Sequence, residues 1–137
     1  MKWDECLSRK IVKESRVDDE LISSLIKSSE RKLKTDKYAP LNEITASCKI
    51  ANNYDSLREV LEAVSISKGF KIYNHECFAG FILEILEMPS EANTFDKLRK
   101  IRNGINYYGK DVLTKDAKNM IIEISELRDK FLRILNE

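Results

Sequence analysis

From Ala117 to Ile134 apolar residues return every three or four positions, as Ala117, Met120, Ile124, Leu127, Phe131 and Ile134. That period puts all six on one stripe of an α-helix and scatters them over both faces of a strand. A helix with such a seam must bury it against other helices or against a second copy of itself. The same period recurs upstream, in Leu21, Ile22, Leu25 and Ile26, in Leu57, Leu61 and Val64 with Tyr54 and Val60, and in Phe95, Leu98, Ile101 and Ile105. With 4 Gly and 2 Pro in 137 residues, the chain lacks the breakers that a sandwich or barrel needs at its many turns. The fold class is therefore all-α, an up-and-down bundle of four to five helices in one domain spanning residues 1–137.

Punctuation places the elements. The spacing predicts a short helix over Asp4–Lys13, and Asp18 caps a second over Asp19–Leu33. Pro40 breaks the chain before a long helical segment, Leu41–Ser67, which Gly69 ends. After a turn at Gly69–Tyr73, Asn74 caps a helix running through Phe78, Ile82, Leu83 and Leu86. Pro89 and Ser90 read as a loop, Asn93–Tyr108 as a further helix stopped by Gly109, and Thr114 as the cap of the last one. No segment alternates long enough to predict a strand.

Composition narrows the function classes. Apolar residues at 42% and charged residues at 34% exclude a disordered chain. Lys and Arg number 24 against 23 Asp and Glu, so a net charge of +1 exerts no global pull on nucleic acid, and any such binding requires local clustering. No apolar run approaches the roughly 20 residues that span a bilayer, and Met1–Glu5 lacks the core of a signal peptide. Cys6, Cys48 and Cys77 are odd in number and far apart, which reads as buried reduced thiols in a cytoplasmic protein.

The familiar catalytic motifs are missing, including phosphate-binding glycine loops and HExxH. One histidine, His75, cannot form a His-based metal cluster, and it reads as a helix-start residue whose protonated form the helix dipole disfavours. Glu59, Glu62 and Glu76 lack the Glu-x-x-His pairs of a carboxylate metal site, and Glu62, four residues after Arg58, reads as an ion-pair partner. No metal or cofactor is expected. The densest local chemistry runs from Lys97 to Gly109, with Lys97, Arg99, Lys100 and Arg102 followed by Asn103, Asn106, Tyr107 and Tyr108. Cations suit phosphates and aromatics suit bases, while cations also suit a helix C-terminus. Arg102 and Asn106 share a side of their helix. Gly104 inside that helix costs about 1 kcal/mol relative to Ala and suggests close approach of a second helix.

Two regions resemble the HEPN family (higher eukaryotes and prokaryotes nucleotide-binding domains). Tyr54–Ala63, Gly69 and Asn74-His75-Glu76 look like the family's long helix, its glycine stop and the histidine-bearing start of the next helix. Arg102-Asn103 looks like the start of the family signature. The resemblance covers roughly Lys49–Leu135 and implies a helical bundle that dimerises with itself. It also implies metal-independent ribonuclease activity, often in a toxin paired with a nucleotidyltransferase antitoxin. In that scheme Arg102 stabilises phosphate charge and a following histidine moves protons. Here Tyr107 stands where the histidine is expected, and a phenol with a reference pKa of about 10 is a poor base near neutrality.

The resulting expectation is a non-catalytic module that binds RNA, a nucleotide or a protein partner through a cleft lined by Arg99, Lys100, Arg102, Asn103, Asn106 and Tyr107. One alternative is a ribonuclease of altered mechanism using Arg102 and Tyr107 as catalytic residues. Another is a purely structural helical assembly domain.

Overall fold

The computed structural model describes all residues, 1–137. In chain order it contains α1 (Trp3–Ser8), β1 (Val12–Glu14), α2 (Asp19–Asp36), α3 (Ala46–Ser67), β2 (Phe70–Ile72), α4 (Glu76–Glu84), α5 (Pro89–Tyr108) and α6 (Thr114–Leu135). The fold is all-α with one small two-stranded sheet.

Helix α3 is the central post because one wide apolar stripe is fully buried and its other sides are buried too, at Lys49, Asn53, Ser56, Glu59 and Ser65. Ile50, Tyr54, Leu57, Val60, Leu61 and Val64 are all within 1% of full burial. Helices α2 and α6 pack along it, and α5 and β2 close its remaining side. The amphipathic α6 sends Ala117, Ile124, Leu127 and Phe131 inward, so its seam is spent inside its own bundle. Complete burial of large side chains such as Phe78, Phe81, Phe95 and Phe131 contributes about 1.5–3 kcal/mol each. A polar relay adds direction to this packing. Arg128 Nε on α6 donates to Ser29 Oγ on α2 at 2.9 Å, and that hydroxyl donates to the Ser56 carbonyl on α3 at 2.7 Å.

Several element boundaries differ from the sequence reading. The first helix stops at Ser8, because Lys10 turns the backbone left-handed at φ 57°. The chain then forms β1, which pairs antiparallel with β2 in the register Val12↔Ile72, Lys13↔Lys71 and Glu14↔Phe70. The Gly69–Tyr73 turn is thus largely a strand. Helix α3 starts at Ala46, not Leu41, because the Asn42 side chain accepts from the Ile44 and Thr45 amides and folds that stretch into a turn. Pro89 is not a loop residue but opens α5, where a missing N–H costs nothing. Thr114 is the first residue of α6, and its hydroxyl caps nothing. Asp18 does accept from the Leu21 amide at 3.0 Å, and Gly109 does end α5 in the left-handed conformation.

The cysteine reading is overturned. Cys6 on α1 and Cys77 on α4 form a disulfide across 71 residues, and Cys48 is free and exposed. A paired Cys6 and Cys77 no longer point to a reducing compartment. Beside this bond α1 lies directly on α4 at Gly80, where a Cβ would stand 3.0 Å from the Trp3 amide nitrogen. Trp3 then packs edge-on against Phe70 and Phe81. The N-terminal segment thereby braces β2 and α4, the two elements that flank His75. No helix is long and apolar enough to cross a membrane.

Candidate functional site

The site lies where α3, α5 and the start of α4 meet. Tyr54 and Arg58 follow one another up α3, one turn apart, and Asp55 sits beside them. Phe95, Arg99 and Arg102 are stacked along the facing side of α5. The Tyr54 ring is stacked on Phe95 with centroids 5.7 Å apart, which fixes the crossing of the two helices. Arg102 then reaches across. Its guanidinium lies 5.5 Å from the Tyr54 ring centroid, and its Nη2 donates to Asp55 Oδ1 at 3.3 Å. From below, Phe78 joins α4 to Phe95, and His75 leans on Phe78 with ring centroids 6.0 Å apart.

Asn74 and His75 divide the work of starting α4. The Asn74 side chain accepts from the Glu76 amide at 2.9 Å, while the His75 side chain makes no capping bond. The imidazole is left half-buried and free, among positive charge. Burial first, then Arg58, Arg102 and Arg99, push its pKa down from the ordinary 6.5 to about 4. His75 is neutral at pH 7. The same three arginines act on Tyr54, but burial outweighs them and pushes its hydroxyl up to about 12.

Each arginine has a carboxylate. Arg58 pairs with Glu62 at 3.2 Å, Arg99 with Asp96 at 3.0 Å and Arg102 with Asp55 at 3.3 Å. Burial raises the Asp96 pKa, but hydrogen bonds from Lys100 and Arg99 win and hold the carboxyl below its usual range. Burial raises the Glu62 pKa despite Arg58. These pairs do not exhaust the donors. Tyr54 Oη, Arg58 Nε and Arg102 Nε are buried without any hydrogen-bond partner, half of the six such atoms in the chain. Buried polar groups are nearly always partnered, so three orphans at one helix crossing mark a place lacking an acceptor.

The sequence-predicted residues divide accordingly. Arg99 and Arg102 come together with Tyr54, Arg58 and His75. Asn103 is half-buried and Asn106 exposed, the latter on the Arg102 side of α5. Lys100 and Tyr107 sit about 160° and 140° around the helix from Arg102, so neither joins this group within one chain. Lys100 pairs with Asp96 at 3.2 Å and, with Ile101, Gly104, Ile105 and Lys110, lines a separate depression of about 360 Å³. Tyr107 is 71% exposed. Gly104 meets no second helix. A Cβ there would stand 3.3 Å from Lys110 Cδ, the movable part of a side chain. Nowhere do three His, Cys, Asp or Glu side chains converge to hold a metal ion.

Tyr54, Asp55, Arg58 and His75 were not identified as site residues from sequence. The signal available was the lone histidine directly after a helix-capping asparagine, which leaves its ring uncommitted. Comparison with known proteins adds no assignment, since no family model, curated protein or solved structure matches the chain significantly.

Proposed function

We propose that this chain is a HEPN-like helical module that binds the phosphate of a nucleotide or RNA at the α3–α4–α5 crossing. The observation that carries the reading is the convergence of Arg58, Arg99 and Arg102 on a neutral histidine, with Tyr54 Oη and two guanidinium Nε atoms lacking acceptors. A phosphate supplies several acceptor oxygens and negative charge at once, and a planar guanidinium fork matches it. Arg102 leaves Asp55 to bind it, uncovering the tyrosine beneath. The homodimer and the nucleotidyltransferase-type partner implied by the HEPN resemblance belong to this same proposal.

The test is titration of AMP and of a labelled single-stranded RNA octamer into wild type and Arg102→Ala, with circular dichroism as a folding control. A charge-assisted bond of this kind is worth roughly 1.5–3 kcal/mol, so the variant loses about tenfold or more in affinity. Equal affinity in a folded Arg102→Ala removes the assignment.

One observation favours a second reading, metal-independent RNA cleavage. His75 is neutral and uncommitted beside the arginines, as a proton acceptor must be. It would take the proton of a ribose 2′-hydroxyl as that oxygen attacks phosphorus, the arginines would hold the growing charge, and the departing 5′-oxygen would take a proton from water. Tyr107 has no part in this scheme. RNA cut in the presence of EDTA by wild type, and not by His75→Ala, decides for the enzyme. An uncut RNA that still binds decides for the binding module.

A further inference from the structure

The outer face of the small sheet carries chemistry that the arginine site does not use. Val12 and Ile72 point into the core, so Lys13, Lys71 and Tyr73 point outward. Lys13 and Lys71 stand directly opposite one another in the strand register. Like charges in such a pair repel, and neither lysine has a carboxylate within ion-pair distance. Instead both ammonium groups gather on the Tyr73 ring, at 5.8 and 5.6 Å from its centroid. Tyr73 is nevertheless 57% exposed, and its backbone is pinned by a 2.9 Å hydrogen bond from its amide to the Ile11 carbonyl. An exposed ring on a pinned backbone, between two cations that make no ion pair, is what a stacked base with flanking phosphates requires.

The platform adjoins the arginine site. Tyr73 is two residues before His75, at most about 7 Å along the chain. Lys71 acts on Glu62, and Glu62 pairs with Arg58. Lys71 and Arg58 thus approach one another across the shared carboxylate of Glu62.

We propose that Lys13, Lys71 and Tyr73 form a second nucleotide subsite, in which one base of a single-stranded RNA stacks on Tyr73 while a neighbouring phosphate occupies the arginine site. The identity of the ligand rests on the phosphate-binding reading above; the stacking role of Tyr73 is separate. It turns a site for one phosphate into a short track for a strand.

Fluorescence anisotropy with a labelled octa-adenylate, set beside AMP titrations, tests both. Tyr73→Ala should weaken octamer binding about tenfold or more and leave AMP binding unchanged. Tyr73→Phe, which keeps the ring, should retain octamer affinity. The double variant Lys13→Gln, Lys71→Gln should flatten the dependence of log affinity on log salt by about 1.4, at about 0.7 per lost phosphate contact. Wild-type octamer affinity in Tyr73→Ala and in the lysine variant, with loss in Arg102→Ala, overturns the subsite and leaves the phosphate site standing. Loss in Tyr73→Ala with none in Arg102→Ala upholds the stacking platform and refutes the phosphate site. Failure of wild type to bind either probe overturns both.

Discussion

The lone histidine makes the electrostatics of the site directly measurable. Because the chain has one His, the imidazole Hε1 signal in a proton NMR spectrum belongs to His75 without further assignment. Burial and three arginines hold its pKa near 4, so the signal should stay still from pH 8 to about 5 and move only below that. The displacement from the ordinary 6.5 corresponds to roughly 3 kcal/mol, and partial exposure of the ring with solvent screening reduces its effect on stability to about 1–2 kcal/mol. The sign follows from proton uptake. Above pH 6.5 the ring is neutral in both folded and unfolded chains. Between 6.5 and 4 the unfolded chain gains a proton that the folded chain refuses, so stability falls across that window and the whole penalty is present below pH 4. Removing a cation or adding an anion acts the other way. Arg102→Ala should raise the His75 pKa, and saturating AMP should raise it in wild type. An Hε1 midpoint between 6 and 7 in the free protein would refute the enclosure of His75, and a midpoint that AMP binding leaves unmoved would place the nucleotide elsewhere.

Two further perturbations test the architecture around the site. Tyr54→Phe removes a buried hydroxyl that has no partner, so the free protein should gain about 1 kcal/mol in urea unfolding while losing affinity for AMP. Destabilisation instead would mean that the hydroxyl is bonded. Replacing Cys6 and Cys77 together by Ser frees a loop closed across 71 residues, for which chain entropy predicts a loss of about 4 kcal/mol in the same assay. A loss below about 1 kcal/mol would show that the packing around Trp3 holds α1 without the bond.

The helices were legible where the apolar period was long. Helices α2, α3, α5 and α6 each carry several turns of it, and Asp18 and Gly109 mark ends by mechanisms confined to a few residues. The strands were not legible because three residues cannot establish an alternation. Val12–Glu14 becomes a strand only through a partner more than fifty residues away. The disulfide was hidden for the same reason, and by an odd cysteine count that left its pairing open. At the site, the density of cations on α5 groups Arg99, Lys100 and Arg102 together in the sequence, whereas the helical turn carries Lys100 to another side. Tyr54 read as core because its ring is core. That its hydroxyl lacks a partner depends on what α4 and α5 bring against it. Tyr107 stands out in the sequence only through a resemblance within one segment, whereas the histidine near the arginines is His75, the residue that precedes α4.

The N-terminal brace also dictates an order of assembly. Residues 1–14 find their partners at Phe70, Ile72, Cys77, Gly80 and Phe81, and almost nothing nearer in the chain holds them. Closing so distant a contact is slow beside the pairing of neighbouring helices. On a ribosome α1 must wait until α4 has followed it out, with Trp3 and Cys6 exposed in the interval. Helix α1 thus docks only once α4 is present, and His75 acquires its final setting only when that partner is in place.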